Sequence, residues 1–136
     1  MKLNKAQLKE LTERSNSISS AWQDLEEAVE KYNEATGEKD KKPVEDAISI
    51  YNDALDSAQG FCETIVGDIE EFMEEKSEKW QESDKGEAHA NWKDSWDITL
   101  DPITWDMLIT QDGDPLDLSS IEPANETLDA LATEPE

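Results

Sequence analysis

Residues 43–75 read PVEDAISIYNDALDSAQGFCETIVGDIEEFMEE. The positions Val44, Ile48, Tyr51, Leu55, Ala58, Cys62, Ile65, Ile69 and Phe72 alternate in steps of four and three, the spacing that keeps one stripe of a helix against a partner helix. Pro43 sacrifices no hydrogen bond in a first helical turn, and Glu45 and Asp46 suit the positive end of the helix dipole. The pattern predicts a helix from Pro43 to about Glu82. Gly60 and Gly67 inside it cost about 1 kcal/mol each relative to alanine. They point either to close approach of another element or to simple tolerance in a long helix.

Upstream, Leu8, Leu11, Ile18, Trp22, Leu25, Val29 and Tyr32 repeat the alternation, with Ser15 filling its one missing step. Asn4 suits an N-cap, Gln7 can reach back as in a capping box, Leu3 can staple against Leu8, and Gly37 marks the stop. Folding the two helices back on each other gives an antiparallel pair in which facing residue numbers sum to 80, so that Leu8 meets Phe72, Leu25 meets Leu55 and large Trp22 meets small Ala58. That register also carries Lys5, Lys9 and Arg14 toward Glu75, Glu71 and Asp68. Beside the seam, Ala21, Ala28 and Ala35 face Ala47, Ala54 and Phe61 across a shallow apolar groove. A two-helix pair buries little, so the chain's own continuation or a second subunit should cover it.

That continuation begins with a short helix capped by Asp84, with Glu87 three residues on and Ala88, Trp92 and Trp96 on one face. Four of the five tryptophans, Trp80, Trp92, Trp96 and Trp105, crowd into this region. The first reading is that these rings close the hairpin; the alternative makes Trp92, Trp96 and Trp105 a partly exposed anchor for a partner. Residues 98–109 fit either extended packing or a short helical turn. The expected fold is therefore all-α: a long, coiled-coil-like antiparallel helical hairpin with a short Trp-rich third helix and an acidic C-terminal tail. Residues 1–110 form the folded unit. Residues 111–136 read as a flexible, solvated tail, with Leu116, Leu118, Ile121, Leu128 and Leu131 the weaker case for a docking peptide.

The 136 residues hold 35 acids against 12 bases, a net charge of −23. Direct binding to nucleic acid or an anionic membrane through a basic patch is excluded on charge, and the expected partner is a basic protein. Lys and Arg are missing from two stretches, residues 43–75 with ten acids and residues 94–136 with twelve. With one cysteine, Cys62, no internal disulfide is possible, and the amino terminus reads as neither signal peptide nor membrane span. A reducing cytoplasm fits; monomer and dimer both stay open.

No catalytic signature emerges, and neither cofactor nor metal is expected. The sole histidine, His89, has Gly86 where a helical di-metal site needs Glu, and reads as a helix-surface residue. Asp112, Asp114 and Asp117 begin like a calcium loop, but Asp117 stands where that loop needs glycine and Pro123 where it needs glutamate. Cys62 lies on the seam and reads as a small buried hydrophobe.

The acids of the second helix are ordered. Asp46, Asp53 and Glu74 lie opposite the seam, and Asp56, Glu63 and Glu70 lie beside them. Their axial steps of about 4 to 10 Å at 1.5 Å per residue bracket a phosphate spacing of about 7 Å. An acidic helix face can simply be solvated, yet mixed charge would serve solubility without the self-repulsion that this stripe incurs.

Long acidic helices, this net charge in so short a chain and the lack of a catalytic motif resemble the DNA-mimic inhibitors that phages and mobile elements carry against restriction, CRISPR or recombination nucleases. Residues 75–86, EKSEKWQESDKG, are also similar to segments of small uncharacterised phage-borne helical proteins. DNA mimics share charge and no motif, so the resemblance transfers no site residue. It implies an inhibitor that lays Asp46, Asp53, Asp56, Glu63, Glu70 and Glu74 in the basic groove of a nucleic-acid-binding defence or DNA-processing protein. Two alternatives keep the same chain: a helical adaptor using the Ala-lined groove and tryptophans, and an immunity protein or antitoxin for a cationic toxin.

Overall fold

A computed structural model describes residues 1–35, 37, 39–109 and 116–135. Its elements are α1 (Lys5–Glu34), α2 (Lys42–Glu74), α3 (Glu78–Gln81), α4 (Asp84–Trp96), a 3-10 turn (Trp105–Leu108) and α5 (Asn125–Asp129). The chain is all-α, built on the antiparallel pair α1 and α2.

The ends of α1 follow from local chemistry. Asn4 Oδ1 accepts from Gln7 N at 2.8 Å while Gln7 Oε1 accepts from Asn4 N at 2.9 Å, so the capping box is complete. The helix stops at Glu34, and Gly37 takes φ +80°, a left-handed turn that glycine adopts at no steric cost. Between the helices the seam is dry: Ile18, Leu25, Val29, Tyr51, Leu55, Ala58, Cys62, Ile65 and Ile69 are all buried. The Trp22 and Tyr51 rings meet at 5.4 Å, and Gln7 donates to Asp68 at 3.1 Å.

At its open end the hairpin departs from the expected pairing. Leu8 is 39% exposed, because its expected partner Phe72 is stacked on His89 at 5.3 Å and edged by Trp80 at 5.9 Å. The expected cross-hairpin ion pairs give way to pairs one turn apart on α1, Arg14 with Glu10 at 3.0 Å and Lys9 with Glu13 at 3.9 Å. Nor does α2 continue to Glu82. It ends at Glu74, where Ser77 Oγ accepts from Trp80 N and starts α3, and the Gln81 amide donates to the Met73 and Lys76 carbonyls. The next helix is capped by Ser83, with Asp84 its first helical residue rather than its cap. Gly86 sits where α3 meets α4: a Cβ there would run into the carbonyl oxygens of Gln81 and of Trp80, 2.5 Å away for the latter. No side chain fits at that corner.

The second half of the chain packs over the first in two legs, held by side-chain amides acting as backbone mimics. Gln59 accepts from Leu100 N and donates to Ile98 O, both at 2.8 Å. Asn52 does the same for Ile103 at 2.8 and 2.9 Å. Residues 98–103 thus run extended and antiparallel to α2. Trp105 then reaches the loop end of the hairpin, edge-on to Tyr32 at 5.5 Å and beneath Lys41 Nζ at 4.9 Å. The return leg is clamped to α1: Asn33 exchanges two hydrogen bonds with Leu116 at 2.8 and 2.9 Å, and Ser15 Oγ donates to Asp129 Oδ1 at 2.5 Å. Thr133 O accepts from Leu3 N at 2.9 Å beside the start of α1.

The expectation of a solvated tail is therefore corrected over residues 116–135. Leu116 and Leu128 are buried, Leu118, Ile121 and Leu131 pack against the core, and Ala132 O accepts both the Trp92 and Trp96 indole N–H groups at 2.8 Å. Apolar residues spaced among acids provide enough burial to hold an otherwise charged segment down. Residues 110–115, and with them Asp112 and Asp114 of the calcium-like run, lie outside the described residues.

Gly60 and Gly67 meet no atom within 4 Å of a built Cβ, so tolerance, not close approach, explains them. Gly60→Ala and Gly67→Ala are each expected to raise unfolding free energy by about 0.5–1 kcal/mol in urea titrations, since the helical backbone accepts alanine and the unfolded chain loses freedom.

Candidate partner-binding surfaces

All six carboxylates singled out from the sequence, Asp46, Asp53, Asp56, Glu63, Glu70 and Glu74, are exposed on α2. Two of them are already engaged: Lys42 holds Asp46 at 3.1 Å, and Lys93 reaches from α4 to Glu70 at 3.4 Å. Among the described residues no ion pair reaches Asp53, Asp56, Glu63 or Glu74, which form the open part of the stripe. Gly60 and Gly67 share that outer face and leave it without bulky side chains between the acids.

The tryptophans divide differently. Trp92 and Trp96 are 4% and 0% exposed, their N–H groups satisfied by Ala132 and Trp96 packed edge-on to Phe61 at 5.9 Å. Buried rings with paired donors cannot serve as an exposed anchor, so these two close the fold. Trp105 is half-buried against Tyr32. The groove flanks are filled as well: Ala21, Ala47 and Phe61 are buried, and Ala28 and Ala54 pack against the core.

His89 is buried rather than on the helix surface. Its ring is stacked on Phe72 and meets Trp80 at 5.0 Å and Trp92 at 6.1 Å. In the neutral tautomer with the proton on Nδ1, it donates to Lys85 O at 2.7 Å and accepts from the Met1 amino group at 3.1 Å through Nε2. Both ring nitrogens are hydrogen-bonded and three aromatic rings lie against the imidazole.

Three titrating groups mark the local fields. Burial, with the Glu63 charge beside it, pushes the Cys62 thiol up to about 11. Burial also raises the Tyr51 phenol, against the opposing effect of the Ala124 N–H that donates to it at 3.0 Å. Hydrogen bonds from the Ser119 amide and hydroxyl, at 2.8 and 2.9 Å, hold the Asp117 carboxyl below its usual range. Cys62 folds as the neutral thiol. Its contribution is complete below the ordinary thiol value of 9.0 and is lost as pH rises through about 11. Unfolding free energy is expected to stay level as pH approaches 9 and to fall above it, and native Cys62 at pH 8 should alkylate about a hundredfold more slowly than in urea.

One surface escaped the sequence reading. Between α1 and residues 117–123 runs an open groove of about 560 Å³, floored by Trp22, Val29, Leu118 and Ile121 and rimmed by Glu26, Glu30, Glu34 and Asp117. Its sequence signal was available, since Glu26, Glu30 and Glu34 recur every fourth residue beside Trp22 and Val29; the partner wall comes from the segment read as solvated.

Among the described residues no helix is long and apolar enough to cross a membrane, and no group of three or more His, Cys, Asp or Glu is placed to hold a metal ion. No known protein family, curated protein or solved structure matches this chain.

Proposed function

We propose that this protein is an acidic mimic of nucleic acid, which inhibits a nucleic-acid-binding protein by occupying its basic groove. The observation that carries the reading is the open carboxylate stripe on one unbroken 33-residue helix. From Asp53 to Glu74 it extends about 30 Å at 1.5 Å per residue, close to nine nucleotide rises of a duplex strand at 3.4 Å. The stripe is fixed before binding, because α2 is clamped along its length by α1 and by the Gln59 and Asn52 contacts. Charges held in advance on a rigid scaffold give a basic cleft its field without an ordering cost at association. Burial of Trp92 and Trp96 takes the main anchors away from the adaptor alternative.

The test is competition. The immobilised protein is loaded with basic proteins from a host lysate, and bound material is challenged with duplex DNA and, separately, with a salt gradient. Mimicry requires that a nucleic-acid-binding protein be released by both. Retention through duplex DNA, with release only by denaturant, would reject it.

A further inference from the structure

The α1 groove carries an inference independent of the α2 stripe. Its floor is apolar and its rim is acidic, and its described lining includes no Lys, Arg or His. Charge alone would attract any polycation. A second feature narrows the occupant. Trp22 is more than nine-tenths buried, yet its indole N–H has no hydrogen-bond partner among the described residues. That N–H is not sealed in the core either, since the one buried side-chain N or O atom without a partner among the described residues is Arg14 Nε. The Trp22 donor is therefore open to solvent, and Trp22 lines this groove. A largely buried ring whose donor is accessible and unpaired can meet an acceptor on whatever fills the groove.

We propose that this groove binds a basic amphipathic peptide segment of a partner protein. Its apolar side chains lie on Val29, Leu118 and Ile121, its Lys or Arg residues meet Glu26, Glu30, Glu34 and Asp117, and one of its backbone carbonyls accepts from the Trp22 indole. Oligolysine supplies the charge and backbone carbonyls but not the apolar face. The Asp117 carboxylate is already oriented by Ser119, so that wall of the groove is set in place before binding. Asn33, at the same groove, is not available to the peptide because both ends of its amide are occupied by Leu116.

The experiment titrates the full chain with a short fluorescein-labelled amphipathic peptide of Leu and Lys, using oligolysine of equal charge as competitor. Fluorescence anisotropy is read at physiological salt. The Leu–Lys peptide is expected to bind, and oligolysine to displace it poorly. Trp22→Phe, which keeps an aromatic ring and deletes the donor, should weaken binding about fivefold, the worth of one hydrogen bond. Combining Glu26→Gln, Glu30→Gln and Glu34→Gln, all at exposed positions, should weaken it about tenfold or more while circular dichroism is unchanged. Neutralising Asp53, Asp56, Glu63 and Glu74 on α2 should leave it within twofold. Equal competition by oligolysine, an equal loss in the α2 variant, or full affinity in the rim variant would each overturn the proposal. Failure here leaves the α2 reading standing, since the two surfaces are altered separately.

Discussion

Chains cut after residue 115 are expected to lose most of their folding stability, although the deleted stretch is acidic and carries no Lys or Arg. The repulsion that deletion relieves is long-range and screened over about 8 Å at physiological salt. What it removes is short-range packing. Leu116 and Leu128 are 4% and 0% exposed, and burial of such a side chain contributes about 1.5–3 kcal/mol. The same cut uncovers parts of Trp22, Trp92 and Trp96 and strips Ala132 O from two indole donors. Together these reach about 5 kcal/mol or more, a large part of the 5–15 kcal/mol that holds a typical domain. A single substitution gives the sharper measurement. Leu128→Ala should cost about 3 kcal/mol, as for other fully enclosed leucines, and lower the thermal midpoint by about 10 °C. An unchanged midpoint in both the truncated and the Leu128→Ala chains would show that the second half does not pack on α1.

The contrast between the two halves shows what the sequence carries. Both long helices were legible because a periodic apolar stripe reports a periodic contact, from Ile18 to Val29 on α1 and from Val44 to Ile69 on α2, and because Asn4, Gln7 and Gly37 use chemistry confined to a few neighbouring residues. The covering layer reports nothing of the kind. Its contacts are made by Gln59, Asn52 and Asn33, polar residues on the helices that no apolar periodicity singles out. Its own apolar residues, Leu116, Leu118, Ile121 and Leu128, are spaced by the path of the chain and not by a helix. Composition then dominated the reading, and composition was acidic. His89 was misjudged for a related reason: the aromatic cage around it draws on α2, α3 and α4 at once, which no local pattern reveals. The acidic stripe was legible because its six residues all belong to one helix. Of the α1 groove only the Glu26, Glu30 and Glu34 row was legible, because the other half of its wall is the return leg.

Neutralising the open stripe is expected to remove most of the affinity for a nucleic-acid-binding partner while leaving the fold intact. The structure selects which residues to change. Asp46 and Glu70 are paired with Lys42 and Lys93, so altering them would mix loss of mimicry with loss of an ion pair. Asp53→Asn, Asp56→Asn, Glu63→Gln and Glu74→Gln change exposed positions, preserve side-chain size and leave the seam untouched. With self-repulsion reduced, stability should hold or rise slightly. Each interfacial charge pair is worth roughly 1 kcal/mol or more once a cleft excludes water, so losing four should weaken binding at least a hundredfold at low salt. The salt dependence separates mimicry from shape-based docking. Parent affinity should fall steeply as salt rises, the variant should show a shallower slope, and the two should converge where screening has removed the charge term. Parallel slopes, or undiminished affinity in a variant whose circular dichroism matches the parent, would move the binding surface off α2 and toward the acidic α1 groove.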